Sequence, residues 1–283
     1  MKRSILALAL AVAPAFNGCS CGGEPAPEDV NALALFFWDR FDPSTTDVAT
    51  QESEIRAAVL QLDEEFKKLE VDYDAPFTGV LEDIDRERIQ DFDGVGDKAD
   101  DIALAQGFML ANLSRCSQQQ NINMVMSNIG VEVHPDAYAE YDKQFDGNPD
   151  AFAKGDVDTM AWTTDYRIDQ SPVVYDATIR GNARRIRGVE GEFPRDIFIT
   201  RVNLLEADFD GDSEDSHFDL DFQIEVYFER DNGDLVHFYA MWRRMVIGIV
   251  DNSNELYIGT TLDGFVDWEK ENDAACESGL VDG

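Results

Sequence analysis

Two periodicities divide the chain near residue 157. Before that point apolar residues recur at helical spacing. Ile55, Val59, Leu62, Phe66 and Leu69 fall four, three, four and three apart, with Glu54, Glu64, Glu65 and Lys67 elsewhere, which predicts a helix over 50–69. Residues 100–116 repeat the pattern through Ile102, Ala105, Met109, Leu113 and Cys116, and Asp100 and Asp101 suit a helix N-terminus. Between Asp29 and Phe41, the dense set Leu33, Leu35, Phe36, Phe37, Trp38 and Phe41 must be buried or bind something. From His134 to Phe152 the chain is polar and aromatic, punctuated by Pro135, Gly147 and Pro149, and reads as short helices and loops.

Beyond residue 157 the period is two. Strands are expected at 158–168, 173–187, 195–208, 217–230, 235–248 and 255–268. The fourth is nearly ideal. Phe218, Leu220, Phe222, Ile224, Val226 and Phe228 occupy one face, and His217, Asp219, Asp221, Gln223, Glu225 and Glu229 the other. Asn232-Gly233 then supplies a hairpin turn. The expected fold class is α+β: an N-terminal helical region, 30–156, packed on a C-terminal antiparallel six-stranded curved β-meander, 157–283, as one folded unit.

Charge narrows the partners. With 23 Lys+Arg against 58 Asp+Glu, the net charge is −35 over 283 residues. Such a surface repels nucleic-acid phosphates and anionic lipid headgroups and favours cations and basic partners. At 44% apolar residues the chain still has ample material for a core.

The first 18 residues read as an export signal: Lys2 and Arg3, then an apolar run from Ile5 to Ala13, too short to span a bilayer. The run ends in Phe16-Asn17-Gly18-Cys19, which resembles the lipobox of bacterial lipoproteins. That resemblance implies lipidation of Cys19, a membrane partner through the N-terminal lipid, and, because Ser20 rather than Asp follows, an outer-membrane destination. Residues 19–29 have the Gly and Pro content of a tether. Cysteine usage fits an oxidising compartment. A disulfide between Cys116 and Cys276 is expected, closing a long loop and leaving Cys21 over, although sequence alone does not set the pairing.

Asp91-Phe-Asp93-Gly94-Val-Gly96-Asp97-Lys-Ala-Asp100 alternates acids around glycines, as oxygen ligation of calcium requires. The string resembles calcium-binding repeats of the thrombospondin type 3 kind and, more loosely, an EF-hand loop. The resemblance implies a structural calcium held by Asp91, Asp93, Asp97 and Asp100. A solvated acidic loop is the other reading.

In the fifth strand, a two-residue turn at Asn232-Gly233 would set Arg243 opposite Phe222, and a one-residue change of register would set Arg244 on that face instead. An arginine on the apolar side needs an anionic partner, either an internal carboxylate or the acidic head of a ligand. Arg243, Arg244, Phe222 and Ile224 are therefore the candidate ligand residues. Arg180, Arg184, Arg185, Arg187, Arg195 and Arg201 form a local basic patch that either serves such a ligand or answers the acidic helices. No Gly-x-Ser-x-Gly, His-Glu-x-x-His or Gly-rich phosphate loop occurs.

The expected function is a non-enzymatic envelope lipoprotein binding an apolar or amphipathic ligand between curved sheet and helices. Lipocalin-like barrels and helix-grip lipid-binding folds share that outline, a fold-level analogy only. The alternative is a structural or adhesion-type surface lipoprotein with a dry core and calcium-stabilised acidic loops.

Overall fold

The structure, a computed structural model, describes residues 24–42, 47–170, 173–210, 216–248, 250–251 and 253–282; the signal-like segment, Cys19 and Cys21 lie outside them. Helix α1 (Val30–Arg40) starts where the Asp29 side chain accepts from the Ala32 amide, and α2 (Val48–Lys68) where Asp47 accepts from that of Thr50. The stripe read in 50–69 is the buried face of α2, with Ile55, Val59, Leu62 and Phe66 inaccessible to solvent. The apolar run of α1 packs beside it in the same core.

Both helices lie on a large curved antiparallel sheet. Its strands are β1 (Phe77–Leu81), β2 (Gln106–Ser114), β3 (Tyr138–Phe145), β4 (Thr159–Gln170), β5 (Val173–Ile186), β6 (Ile197–Phe209), β7 (His217–Glu229), β8 (Leu235–Ile247) and the short β9 (Val250–Asp251). Their order is β1-β2-β8-β7-β6-β5-β4-β3, with β9 on β8. Short helices α3 (Gln118–Val125), α4 (Gly130–Val133) and α5 (Pro149–Ala153) link the edge strands, and α6 (Glu255–Glu277) ends the chain. Among the described residues no helix is long and apolar enough to cross a membrane.

Five expected strands become β4 to β8. The nine-stranded sheet exceeds the six expected because 30–156, read as helical, contributes β1, β2 and β3. Residues 100–116 are corrected from helix to a 3-10 turn (Gly96–Leu104) followed by β2. Strand β2 is covered on both faces, Met109, Ala111 and Leu113 in one core and Phe108 in another, so no alternation shows in its sequence. The helical spacing there is coincidental. Residues 255–268 are corrected from strand to the first part of α6. Its Gly and β-branched content mimics a strand, yet Tyr257, Thr261, Phe265, Glu269 and Cys276 repeat at helical spacing.

The β7–β8 hairpin sets the register that matters most. The Arg230 amide donates to the Asp234 carbonyl at 2.8 Å, so three residues, Asp231 to Gly233, form the loop, with Gly233 at φ +91°. Phe222 therefore opposes Trp242, Asp221 opposes Arg243, and Leu220 opposes Arg244. A bulge between Phe218 and Leu220 turns Phe218 to the other face.

A candidate ligand cavity between the sheet and the last helix

The sheet has a filled face and a partly empty one. Under α1 and α2, Phe222, Ile224, Trp242 and Phe238 form a dry core with Trp38, whose ring meets Phe222 edge-on at 5.7 Å. Phe222 and Ile224 belong to this core, on the opposite side of the sheet from the cavity described next. Arg201 points into the same side and lies over Phe41, Phe92 and Trp38 at 4.6, 4.8 and 5.3 Å. Burial lowers its pKa to about 10, against the pull of Asp42.

On the other face, α6 crosses the concave sheet and leaves a cavity of about 300 Å³. The sheet supplies Tyr166, Ile168, Tyr175, Ile179 and Tyr239, and α6 supplies Thr261, Gly264, Phe265 and Trp268. Helix α6 begins where the Asn254 side chain accepts from the Leu256 amide. Its far end is pinned by polar anchors. Asp273 accepts from the Arg115 amide at 2.8 Å, Glu269 from Asn112 Nδ2 at 2.9 Å, and Cys276 is joined to Cys116 with their Cα atoms 5.4 Å apart. The preceding turns cover the cavity through half-buried Phe265.

Two cationic groups are built into the wall. Arg243 donates from Nη2 and Nε to Asp221 at 2.9 and 3.3 Å and lies over the Phe218 ring. Asp221 is 1% exposed, and Gln223 Nε2 donates to it at 2.6 Å. Burial acts against the Arg243 charge, but Asp221 outweighs it and holds the pKa far above the ordinary value. The second group is His237, buried and stacked on Tyr227 with ring centroids 4.2 Å apart. Its Nδ1 stands 3.0 Å from Glu269 Oε1 and its Nε2 3.5 Å from Glu225 Oε2, ion pairs without hydrogen-bond alignment.

Burial would strip the His237 proton, but Glu269 and Glu225 overcome it and raise the pKa to about 10. A folded pKa above the unfolded value stabilises the fold fully below the unfolded pKa, about 6.5. That stabilisation is lost as pH rises through about 10. Urea midpoints of the wild type are thus expected to fall more steeply from pH 7 to 10 than those of His237→Gln. Parallel slopes would contradict the charged imidazole.

No family model matches the chain, and no curated protein matches it. Solved structures similar to it include a STAR-related lipid transfer protein from Xanthomonas axonopodis, at 11% identity over 61% of this chain and 86% of that one, TM-score 0.42. A START superfamily protein from Mycobacterium smegmatis shares 11% identity over 61% and 97%, TM-score 0.37. Ginseng major latex-like protein 151 from Panax ginseng shares 7% over 61% and 98%, TM-score 0.36. At such scores these likenesses do not bear on what this chain binds.

Of the residues singled out in the sequence, Arg243 lines the cavity and Arg244 lies across the sheet from it, opposite Leu220. The basic patch is largely taken up internally. Arg184 donates to the Phe41 carbonyl and to Gln51 and Glu52, tying α1 and α2 to the sheet, while Arg180 pairs with Asp146 and Arg195 with Asp231. Asp91, Asp93, Asp97 and Asp100 are exposed, and Asp100 pairs with Arg86. Among the described residues no three His, Cys, Asp or Glu side chains gather as metal ligands. A wider hollow of about 560 Å³ at the β3–β6 end is open to solvent and walled by Glu140, Asp142, Asp165, Glu206 and Asp208.

Sequence reading missed His237, Glu269 and the tyrosines as site residues. The tyrosines were legible as the polar-face partners of strands, and Glu269 needed α6 to be recognised as a helix.

Proposed function

We propose that this chain is a non-enzymatic binding protein that holds one small apolar or amphipathic molecule between the concave sheet and α6. The observation that carries the reading is the cavity of about 300 Å³ walled by aromatic rings. The cavity is partly open to solvent, whereas protein interiors elsewhere pack to crystal density. The space is therefore filled by water or by a ligand. The charged and hydroxyl groups of the wall can hold water or the polar end of a ligand, and beside its rings and aliphatic side chains an apolar chain gains from leaving solvent.

Gly264 provides the test. It lines the cavity within α6, and a Cβ added there would meet nothing within 4 Å. Gly264→Leu grows a side chain into open space and removes a poor helix former, for a gain of about 0.8–1 kcal/mol. The variant is expected to melt at or above the wild-type temperature and to bind 1-octanol at least about tenfold more weakly, a loss of ~1.4 kcal/mol. Undiminished binding by a folded Gly264→Leu protein would remove the cavity as the site.

We propose further that Cys19, by its lipobox-like setting, carries a lipid that anchors the protein to a membrane. Cys19→Ser is expected to move the protein from the membrane fraction to the soluble one. Retention of that variant on membranes contradicts the anchor.

A further inference from the structure

The charge of the cavity bears on the head group of its occupant, an inference that rests on the binding reading above. Glu225, Glu269, His237 and Arg243 are the charged residues of its lining. Arg243 is matched by Asp221, whose carboxylate takes its Nε–Nη2 edge and balances its charge. His237 answers only one of the two glutamates between which it sits. Two positive groups, Arg243 and His237, thus face three negative ones, Asp221, Glu225 and Glu269, for a net charge of −1.

The closing helix adds to this field. From Glu255 to Glu277, α6 carries seven acidic residues and one lysine, Lys270. Asn272 also lines the wall, its Nδ2 donating to Glu269. Around these groups stand the rings of Tyr138, Tyr239, Phe265 and Trp268. Aromatic faces attract cations and are indifferent or repulsive to anions.

We infer that the occupant is a small cationic amphiphile, with its ammonium or quaternary nitrogen among the aromatic faces beside Glu225 and Glu269. Its apolar part runs along Leu110, Ile168 and Ile179, which line the same cavity. The volume limits its size. At about 30 Å³ per water-sized group, the space holds roughly ten such groups, a single short chain rather than a two-chain lipid.

Calorimetric titration of the full chain with octyltrimethylammonium, 1-octanol and octanoate separates the possibilities. The cation is expected to bind at least about tenfold tighter than octanoate, with octanol between them. Glu225→Gln, a partly exposed position whose change leaves the His237–Glu269 pair in place, is expected to reduce the cation-to-anion ratio several-fold. Octanoate binding as tightly as the cation overturns the charge assignment and leaves the cavity reading standing. Failure of all three to bind overturns both. An unchanged ratio in folded Glu225→Gln overturns the role given to Glu225, and the wild-type ratio decides the proposal if that variant does not fold.

Discussion

Asp221→Asn is expected to destabilise the protein by about 3–5 kcal/mol, because it leaves the Arg243 guanidinium at the cavity wall without its counter-charge. Asp221 is 1% exposed and receives two bonds from Arg243 and one from Gln223. The amide can accept one of these but cannot balance the charge. The pair itself contributes less than its breakage costs, since both ions were desolvated to form it. Replacing both, as Asp221→Leu with Arg243→Met, is accordingly expected to recover much of the loss. Urea unfolding of the three proteins measures both effects. A single variant within 0.5 kcal/mol of wild type, or a double variant no better than the single, would contradict this account of the wall.

Loss of the Cys116–Cys276 link is the second large effect. The two residues are 160 apart in sequence, so the link closes a loop that includes most of the sheet. Chain-entropy arguments assign such a closure about 4–5 kcal/mol, within a measured range of ~2–5. Cys276→Ser is expected to lower the urea midpoint accordingly, and reductant to do the same to the wild type but not to the variant. The loss should fall on α6 first. Its last turns are held by the link together with Glu269 and Asp273, and its preceding turns rest on buried Tyr257 and otherwise on half-buried side chains. Hydrogen exchange is therefore expected to speed up in 255–277 before β6 or β7. Uniform exchange across the sheet and α6 would contradict that order.

The central strands were legible because their surroundings match a simple pattern. Strand β7 buries one apolar face against α1 and α2, and its alternation passes directly into the structure. The other half of the alternation held the site. His237, Glu225 and the tyrosines occupy positions that read as solvent-facing, but α6 covers that face and makes them a cavity wall. Two elements hid this. Strand β2 is apolar on both sides and resembled a helix, and α6 carries Gly259, Thr260, Thr261 and Gly264, which weaken a helical reading. The register of the β7–β8 hairpin turned on a single loop residue. With three residues in the loop rather than two, Arg243 meets Asp221 and leaves the face of Phe222 to Arg244.

The most direct test of the binding account is a crystal structure of the protein grown with 8-bromo-1-octanol and measured at the bromine absorption edge. The account predicts an anomalous peak inside the cavity, between the sheet residues Tyr175 and Tyr239 and the α6 residue Phe265. A cavity containing only ordered water, with bromine absent or confined to the outer surface, would contradict it.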